Sequence, residues 1–311
     1  MTDPSPERNV LEQLTRDLLT ERRRTRRWGI FFRLMALAIA FIGVLIVLAF
    51  VGSKEHVCLD LCTAVVEVRG ELESGGRAGA ERVIAGLQAA VKHGRIKGVI
   101  VRINSPGGSP VQAGQIYDEI RRLRSVHPTI PIHAVVEEIA ASGGYYVAAA
   151  GEKIFVDKAS VVGSIGVIMD GFGFTGAMDK LGIERRVLTA GENKALMDPF
   201  SPFDAGQRAH VQRLLDDVHA QFVTAVKEGR GARLKESADT FSGLVWNGSR
   251  AVELGLADGI GSVEGVAREV IKAEELVDFT PADNIADRFA RRFGAAFAGE
   301  LGYRVRHARW R

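Results

Sequence analysis

Residues 140–146 read AASGGYY, a serine set between two alanines and two glycines. They follow an apolar, strand-like run at residues 132–136 and precede a helix of small residues that ends near residue 150. At such a strand-to-helix turn the serine hydroxyl is unobstructed, and the next backbone N–H groups are the unpaired first donors of the helix. This geometry suits a nucleophile beside half an oxyanion hole, or a helix cap formed by Ser142.

Around this turn, apolar strand-like runs alternate with amphipathic helical ones. Strands are predicted at residues 63–72, 96–103, 132–136, 153–156, 161–168 and 185–188, and helices at residues 78–93, 109–124, 175–181, 207–227 and 262–275. This alternation favours an α/β domain. The unit recurs about every thirty to forty residues, which indicates stacked turns. No G-x-G-x-x-G motif follows the first strand, so a dinucleotide site is not expected.

The basic residues are concentrated at the two ends of the chain. The net charge is only +3, and arginines cluster at residues 22–33 and 304–311. A nucleic-acid-binding protein would carry this charge on the folded domain, interleaved with exposed aromatic residues. Nucleic acid is therefore not an expected partner.

Residues 34–52, LMALAIAFIGVLIVLAFVG, carry no charge and are long enough to span a bilayer as a helix. The stretch is longer than the apolar core of a secretory signal peptide, and no convincing cleavage site follows, which favours an uncleaved anchor. Because the arginine cluster precedes it, the N-terminus is expected in the cytoplasm and the rest of the chain outside the cytoplasmic (inner) membrane.

The chain is thus expected to contain a cytoplasmic stub (residues 1–33), a transmembrane anchor (34–52), one folded domain (60–280) and a basic amphipathic tail (283–311). The tail either lies on the membrane or packs on the domain or a neighbouring subunit. The two cysteines, Cys58 and Cys62, can pair in an oxidising compartment, but their spacing suits neither a strand nor a helix. Intermolecular bonds or free thiols are the alternatives. No metal site is expected.

Three glycine-bearing turns each follow a strand: SPGG at 105–108, ASGG at 141–144 and GSIG at 163–166. Gly107 and Gly108 can present backbone N–H groups at close range and, with the N–H of Gly143, complete an oxyanion hole. Glycines at turns also occur for backbone conformation alone.

A serine nucleophile needs a base, and none of the seven histidines lies in a glycine turn. His133, on the strand before Ser142, is expected to be half-buried in the sheet, which disfavours a Ser-His-Asp triad. Lys194 follows a predicted strand and a glycine, ahead of an apolar stretch. Burial of its amine would disfavour the charged form, as a general base requires, although a surface position is the more common one for a lysine.

Five ordered motifs carry a resemblance to a known family: RINSPGG (102–108), AASGGYY (140–146), VGSIGV (162–167), AGENK (190–194) and WNGSRAVELGLAD (246–258). From about residue 65 to residue 261 the chain resembles the signal peptide peptidase A family, in its short, single-domain form. The resemblance implies a Ser–Lys peptidase with the α/β fold of ClpP and crotonase, a stacked β-β-α superhelix.

The resemblance also implies roles for single residues. Ser142 is then the nucleophile, Lys194 the general base, and Ser164 a hydrogen-bond partner of the lysine amine. The N–H of Gly143 and the turn at 105–108, with Gly107 and Gly108, form the oxyanion hole. Asn193 stands where the family often has tyrosine or histidine, which leaves the dyad intact and bears on specificity.

The partners follow from the same resemblance. The chain is expected to form a ring or dome of about eight subunits in which Lys194 of one subunit serves Ser142 of the next. No cofactor is expected. The substrates are cleaved signal peptides and other short apolar peptides. The sequence leaves three alternatives open: a related membrane peptidase acting on intact membrane proteins, a crotonase-like acyl-CoA enzyme, and a non-catalytic scaffold. Extracytoplasmic location disfavours the second, because CoA esters are cytoplasmic.

Overall fold

The computed structural model describes residues 26–44, 58 and 60–281. Backbone contacts divide the chain into one unit of residues 1–55 with 285–311 and a second unit of residues 56–284.

In the first unit, the described residues form helix α1 (Arg26–Val44), which by length and composition is able to cross a membrane. Its mean hydropathy is 1.7 and none of it is buried by the protein. The predicted anchor at residues 34–52 is described only as far as residue 44. The predicted tail at residues 283–311 lies outside the described residues.

The second unit is built of eight strands and seven α-helices in its described part. The strands are β1 (Cys62–Arg69), β2 (Ile96–Ser105), β3 (Ile132–Ala141), β4 (Ile154–Val156), β5 (Val161–Gly163), β6 (Val245–Asn247), β7 (Gly259–Ile260) and β8 (Leu276–Asp278). The helices are α2 (Ala80–Lys92), α3 (Pro110–Val126), α4 (Gly143–Ala149), α5 (Thr175–Leu181), α6 (Ala205–Arg230), α7 (Gly248–Glu253) and α8 (Val263–Val266), which continues into a π-helical turn (Ala267–Ile271).

All eight strands join one sheet of main order β6-β5-β3-β2-β1-β8, and its pairs are parallel except for β5 with β6. Strand β3 is long enough to pair with two strands on the same side. Ala134 lies opposite Ile154 of β4, and Ala140 lies opposite Val162 of β5. This branching brings the end of β5 beside the end of β3, where residues 140–146 begin their turn.

The sheet is apolar on both faces, as is typical of parallel sheets covered by helices. Because successive strand residues point to opposite faces, Val66 and Val101 join the larger core with α2, α3, α4 and α6. Val65, Ile100 and Val135 point to the other face and pack against α8 and the π-helical turn. The α/β class predicted from the sequence is confirmed.

Four of the seven helices in this unit begin at a side-chain cap. Ser109 accepts a hydrogen bond from the N–H of Gln112 at the start of α3, where Pro110 occupies the first helical position. Asp204 accepts from the N–H of Gln207 at the start of α6. These side chains satisfy N–H groups that a helix cannot satisfy itself.

The end of α6 is tied to the sheet by a buried ion pair. Arg230, which is 1% exposed, donates through Nε to the Gly255 carbonyl (2.8 Å) and through Nη1 to Oδ2 of Asp258 (2.7 Å). Asp258 also accepts from the N–H of Ile154 on β4 (2.7 Å) and from Nη1 of Arg233 (3.1 Å). The pair therefore links the helix, the strand and the loop before β7.

Cys58 and Cys62 form a disulfide, with their Cα atoms 5.9 Å apart. The expectation that their spacing disfavours an internal bond was wrong. Cys62 opens β1, but Cys58 precedes the strand and the chain bends at residues 60 and 61, so the two cysteines share neither a strand nor a helix. A bend shortens the separation into the range that a disulfide needs.

Three element predictions were also wrong. Residues 185–188, predicted as a strand, are irregular and exposed. The strand predicted at residues 161–168 ends at Gly163, because Gly163 (φ 112°) and Ser164 (φ 51°) turn the backbone out of extended conformation. The helix predicted at residues 262–275 is limited to α8 and the π-helical turn. The short strands β6 and β8 were not predicted, since three residues carry too little periodicity.

Candidate active site

Ser142 lies between the last residue of β3 and the first residue of α4. Its backbone has φ 52° and ψ −125°, a conformation that residues with a side chain seldom adopt. Its side chain makes no capping hydrogen bond to α4, in contrast to Ser109 at the start of α3. The alternative role of Ser142 as a helix cap is therefore not supported, and its hydroxyl is not engaged by α4.

Hydrogen bonds from several elements hold this turn. The N–H of Ser142 donates to the Gly163 carbonyl (2.9 Å), and the N–H groups of Tyr145 and Tyr146 donate to the Ser142 carbonyl (2.9 and 3.0 Å). The buried Tyr145 hydroxyl donates to the Leu256 carbonyl (2.8 Å). A non-glycine residue in such a conformation costs on the order of 1–3 kcal/mol and persists only where its surroundings dictate it. Here the neighbouring strand and helix do so.

The glycine turn at 107–108 lies directly against the serine turn. A Cβ on Gly107 would stand 2.7 Å from Cβ of Ser142 and 2.9 Å from the Gly143 nitrogen, so only glycine fits. Gly107 also has φ 112°, in the region that favours glycine. The turn is held from its other side, where the N–H of Leu72 donates to the Gly107 carbonyl (2.7 Å).

The backbone N–H groups of Gly108 and Gly143, both near Ser142, find no acceptor among residues 60–281. They lie close together, since a Cβ on Gly143 would stand 3.5 Å from the Gly108 nitrogen. The N–H of Gly107 is engaged, because it donates to Oγ of Ser105 (3.2 Å). Of the expected oxyanion-hole residues, Gly108 and Gly143 thus supply free donors, and Gly107 permits their close approach.

Ser164 directly follows β5, as Ser142 directly follows the neighbouring strand β3. Its predecessor Gly163 lies opposite Ala141 in the parallel register, so the two serines leave neighbouring strands side by side. Ser164 is half-buried with φ 51°, and its N–H donates to the Leu244 carbonyl (2.7 Å). The structure therefore brings Ser142, Gly143, the glycine turn and Ser164 to one end of the sheet.

Lys194 is not part of this group in the single chain. It lies in residues 168–203, here called the lysine segment, where it is exposed, and its N–H donates to the Gly191 carbonyl (3.1 Å). Within the described residues its side chain makes no hydrogen bond or ion pair, and it does not line the cavity at Ser142. The burial that a neutral lysine needs is not supplied by its own chain.

A cavity of about 360 Å³ opens on Ser142, Gly143 and Gly108. Its walls come from three helices and from residues 166–168 after β5. The helices contribute Val111 and Asp118 on α3, Tyr146 on α4, and Val218, Gln221 and Phe222 on α6. It is the size of an ordinary ligand pocket, and it begins at the candidate nucleophile.

Two histidines, His133 and His219, are at least partly buried. Burial lowers the pKa of His133, whose ring packs edge-on against Phe155 away from the cavity at Ser142. His219 is partly buried, and its Nε2–H donates to the Ile165 carbonyl (3.1 Å), next to Ser164. Its spacing of four residues from Leu215 and three from Phe222 places it on the apolar face of α6, a signal present in the sequence.

Comparison with known proteins assigns this arrangement to a family. The sequence model of Peptidase family S49 matches residues 124–277, and that of Clp protease matches residues 65–162. "Putative protease slr0021" of Synechocystis is 31% identical over 201 residues, which cover 65% of this chain and 70% of that protein. The chain belongs to peptidase family S49.

Other relatives match smaller shares of their own length. "Putative signal peptide peptidase SppA" of Enterococcus faecium is 32% identical over 185 residues, 60% of this chain and 53% of that protein. "Na(+)/H(+) antiporter NhaA" of Brucella abortus is 44% identical over 183 residues, 59% of this chain and 25% of that protein. The chain thus spans a quarter to a half of these two relatives. The comparisons support the expected ClpP-like fold and the serine protease class.

Proposed function

We propose that this S49 family member is a membrane-anchored serine endopeptidase with a Ser142–Lys194 dyad. The observation that carries the proposal is the serine turn. Ser142 is held at positive φ without a capping bond, beside the unpaired N–H groups of Gly108 and Gly143. A nucleophile next to two free backbone donors is the arrangement that acyl transfer requires.

The proposed reaction proceeds in two halves. Neutral Nζ of Lys194 takes the hydroxyl proton of Ser142 while Oγ bonds to the peptide carbonyl carbon, and the N–H groups of Gly108 and Gly143 stabilise the oxyanion. Collapse breaks the C–N bond, and the lysine ammonium returns the proton to the leaving amine. Water, deprotonated by the same lysine, then hydrolyses the acyl-enzyme and releases Ser142. Ser164 lies where it can hold the lysine amine in place.

Lys194 is proposed to act on the Ser142 of a neighbouring subunit. Its segment carries large apolar side chains in contact with water, among them Phe172 (79% exposed) and Leu188 (102%). Exposed apolar patches of this kind mark interaction surfaces. A neighbour that covers the lysine segment would also bury Lys194 and favour its neutral form. A ring or dome of such subunits would complete one site at each interface.

The catalytic domain is proposed to lie outside the cytoplasmic membrane, with α1 as part of a single-pass anchor and the N-terminus inside. The disulfide between Cys58 and Cys62 supports this location, since disulfides persist in oxidising compartments. The arginines before the apolar stretch support the orientation. The proposed substrates are cleaved signal peptides and other short apolar peptides, and the runner-up is cleavage of intact membrane proteins.

The test uses the full chain purified in detergent with a mixture of synthetic signal peptides. Wild type should form a covalent adduct with a serine-reactive fluorophosphonate and cleave the peptides, and Ser142→Ala should do neither. Lys194→Ala should be inactive, with Lys180→Ala, an exposed lysine on α5, as the matched control. Near-normal turnover of Lys194→Ala would contradict the lysine as base. Cleavage of a reconstituted membrane protein but of no free peptide would favour the runner-up.

Mixing the two inactive variants tests the shared site. When Ser142→Ala and Lys194→Ala subunits co-assemble, about a quarter of the interfaces pair an intact serine with an intact lysine, so activity should return. Co-assemblies of normal size that remain inactive would show that each dyad belongs to a single chain.

A further inference from the structure

The cavity at Ser142 has a polar end as well as apolar walls. Val111, Val218 and Phe222 form apolar wall, with the ring of Tyr146 beside them. Asp118 is the only charged side chain among the described residues that line it. Most of a substrate side chain would therefore meet apolar surface, and its tip would meet a carboxylate.

A second cavity, of about 420 Å³, continues from this end. It shares Asp118, Tyr146 and Gln221 with the first cavity and adds Glu228. Burial and the negative charges of Asp118 and Glu228 raise the pKa of the Tyr146 hydroxyl, so both carboxylates act on the same ring. No lysine, arginine or histidine occurs among the described residues lining either cavity, although Arg121 acts on Tyr117 from outside them.

The geometry of attack decides which substrate residue enters. If the oxygen of the scissile carbonyl lies between the N–H groups of Gly108 and Gly143, the carbonyl carbon faces Ser142. The substrate side chain nearest to the cavity is then the one on the Cα atom bonded to that carbon. Lysine and arginine match such a lining because they bury an aliphatic stem and keep a charged head outside. The face of Tyr146 adds an attractive surface for a cation.

We infer that the site, if it acts as proposed above, accepts lysine or arginine on the acyl side of the scissile bond and rejects aspartate and glutamate there. Asp118 is the residue that determines this specificity. The preferred substrates are then apolar peptides interrupted by a basic residue, and like charge excludes acidic residues from the same position.

A series of peptides that differ at this one residue tests the inference. Lysine, its neutral counterpart norleucine, leucine and glutamate are placed in one fluorogenic peptide, and kcat/KM is measured for each with the full chain. Wild type should favour lysine over norleucine and cleave the glutamate peptide most slowly. Asp118→Asn should reduce the lysine-to-norleucine ratio about two- to fivefold, as expected for an exposed ion pair. Asp118→Lys should invert the order of lysine and glutamate.

The controls separate this inference from the proposed activity. Asp217→Asn removes the same charge from α6 at an exposed position that lines neither cavity, and should leave the ratio unchanged. The preference in wild type should weaken as salt is added. Cleavage that depends on Ser142 with a ratio unaffected by Asp118→Asn would overturn the inference alone.

Binding provides a second readout that does not need turnover. The same peptides, labelled for fluorescence anisotropy, are titrated into Ser142→Ala with and without Asp118→Asn. Tighter binding of the lysine peptide that disappears in the Asp118→Asn background supports the inference even if the proposed catalysis fails. Equal binding of the lysine and glutamate peptides overturns it.

Discussion

The serine turn and the lysine segment are built in opposite ways. At the serine turn, Gly143, Gly144 and Tyr145 are buried, and strands and helices from distant parts of the sequence hold the backbone. In the lysine segment no residue is buried. That segment is held mainly by its own contacts, such as Arg185 with Asp198 (2.8 Å) and the stacked rings of Phe174 and Phe200 (5.4 Å).

This difference indicates that one chain completes only half of the proposed site. The proposed nucleophile and the proposed oxyanion donors depend on a core that a single chain provides. The proposed base lies on a surface whose apolar side chains have no cover within the described chain. Changes at the serine turn should therefore impair catalysis even in intact assemblies, whereas changes to the exposed apolar side chains of the lysine segment should act through assembly.

Outside the proposed dyad, Gly107→Ala should have the largest effect on activity. Its Cβ would press on Ser142 and the Gly143 nitrogen and displace the oxyanion donors. Loss of one such donor costs about 10²–10³ in kcat. Peptide cleavage and light scattering of the same sample should show inactive protein in an assembly of normal size. Gly94→Ala, where a Cβ meets nothing within 4 Å, is the control. Activity retained within a few fold would refute tight contact between the two turns.

Asp258→Asn should destabilise the framework under the serine turn. It leaves the buried Arg230 without its countercharge, which costs about 3–5 kcal/mol in the free energy of unfolding. Denaturant titration measures the free energy of unfolding, and the control variant Asp217→Asn should leave it unchanged. The lysine segment should be unaffected, because it does not contact this ion pair.

The loss of unfolding free energy in Asp258→Asn should become smaller as the pH is lowered. Burial opposes ionisation of Asp258, but hydrogen bonds from Arg230 and the Ile154 N–H outweigh it and hold its pKa below the ordinary value. A carboxylate with a depressed folded pKa stabilises the protein above its unfolded pKa, about 3.9, and loses this as pH falls through the folded value. The difference between wild type and variant should shrink below about pH 4. A constant difference from pH 7 to pH 3 would contradict the ion-pair origin.

Leu188→Asp should break the assembly and spare the fold. A charge on a side chain that becomes buried between subunits should lower activity at least about tenfold, as at an interface hot spot. Light scattering should detect smaller particles, and the melting temperature of the domain should stay within about 2 °C because surface changes are usually small. Val126→Asp, at an exposed apolar residue at the end of α3, serves as control. If the size of the assembly did not change, Leu188 would not lie in the interface between subunits.

His219→Ala should have the smallest effect. It removes the hydrogen bond to the Ile165 carbonyl beside Ser164, and kcat/KM should fall about two- to tenfold, in line with one partly buried hydrogen bond. His219→Gln retains a donor and should recover part of the loss. His210→Ala, exposed on the same helix, should have no effect. A loss in His219→Gln equal to that in His219→Ala would show that packing, not the hydrogen bond, matters.

Much of the fold was accessible from local patterns. The long strands β1 and β2 and the helices α2, α3 and α6 were predicted within a few residues of their ends, because their apolar periodicity is long. Strand β3 was predicted from its first residue, but its last five residues were missed. The three glycine turns were recognised because glycine and serine occur together after three successive predicted strands. Short strands and the π-helical turn were missed, since their residues pair by tertiary contact and carry no periodic signal.

The candidate site was accessible only in part. Motif spacing pointed to Ser142, Gly108 and Gly143, which the structure brings together. The spacing could not show that the N–H of Gly107 is already engaged by Ser105, nor that His219 donates to the Ile165 carbonyl beside Ser164. Which N–H is free depends on atoms that approach from other elements.

The sequence by itself determined the α/β class, the membrane-compatible helix and the positions of the three turns, because backbone preference and apolar spacing are local properties. Only the tertiary structure decided that β3 pairs with both β4 and β5, and so sets Ser164 beside Ser142. It also decided that Cys58 bends back to Cys62 and that Lys194 faces water in the single chain. These outcomes depend on register and on the contacts of distant segments, which only the folded chain brings together.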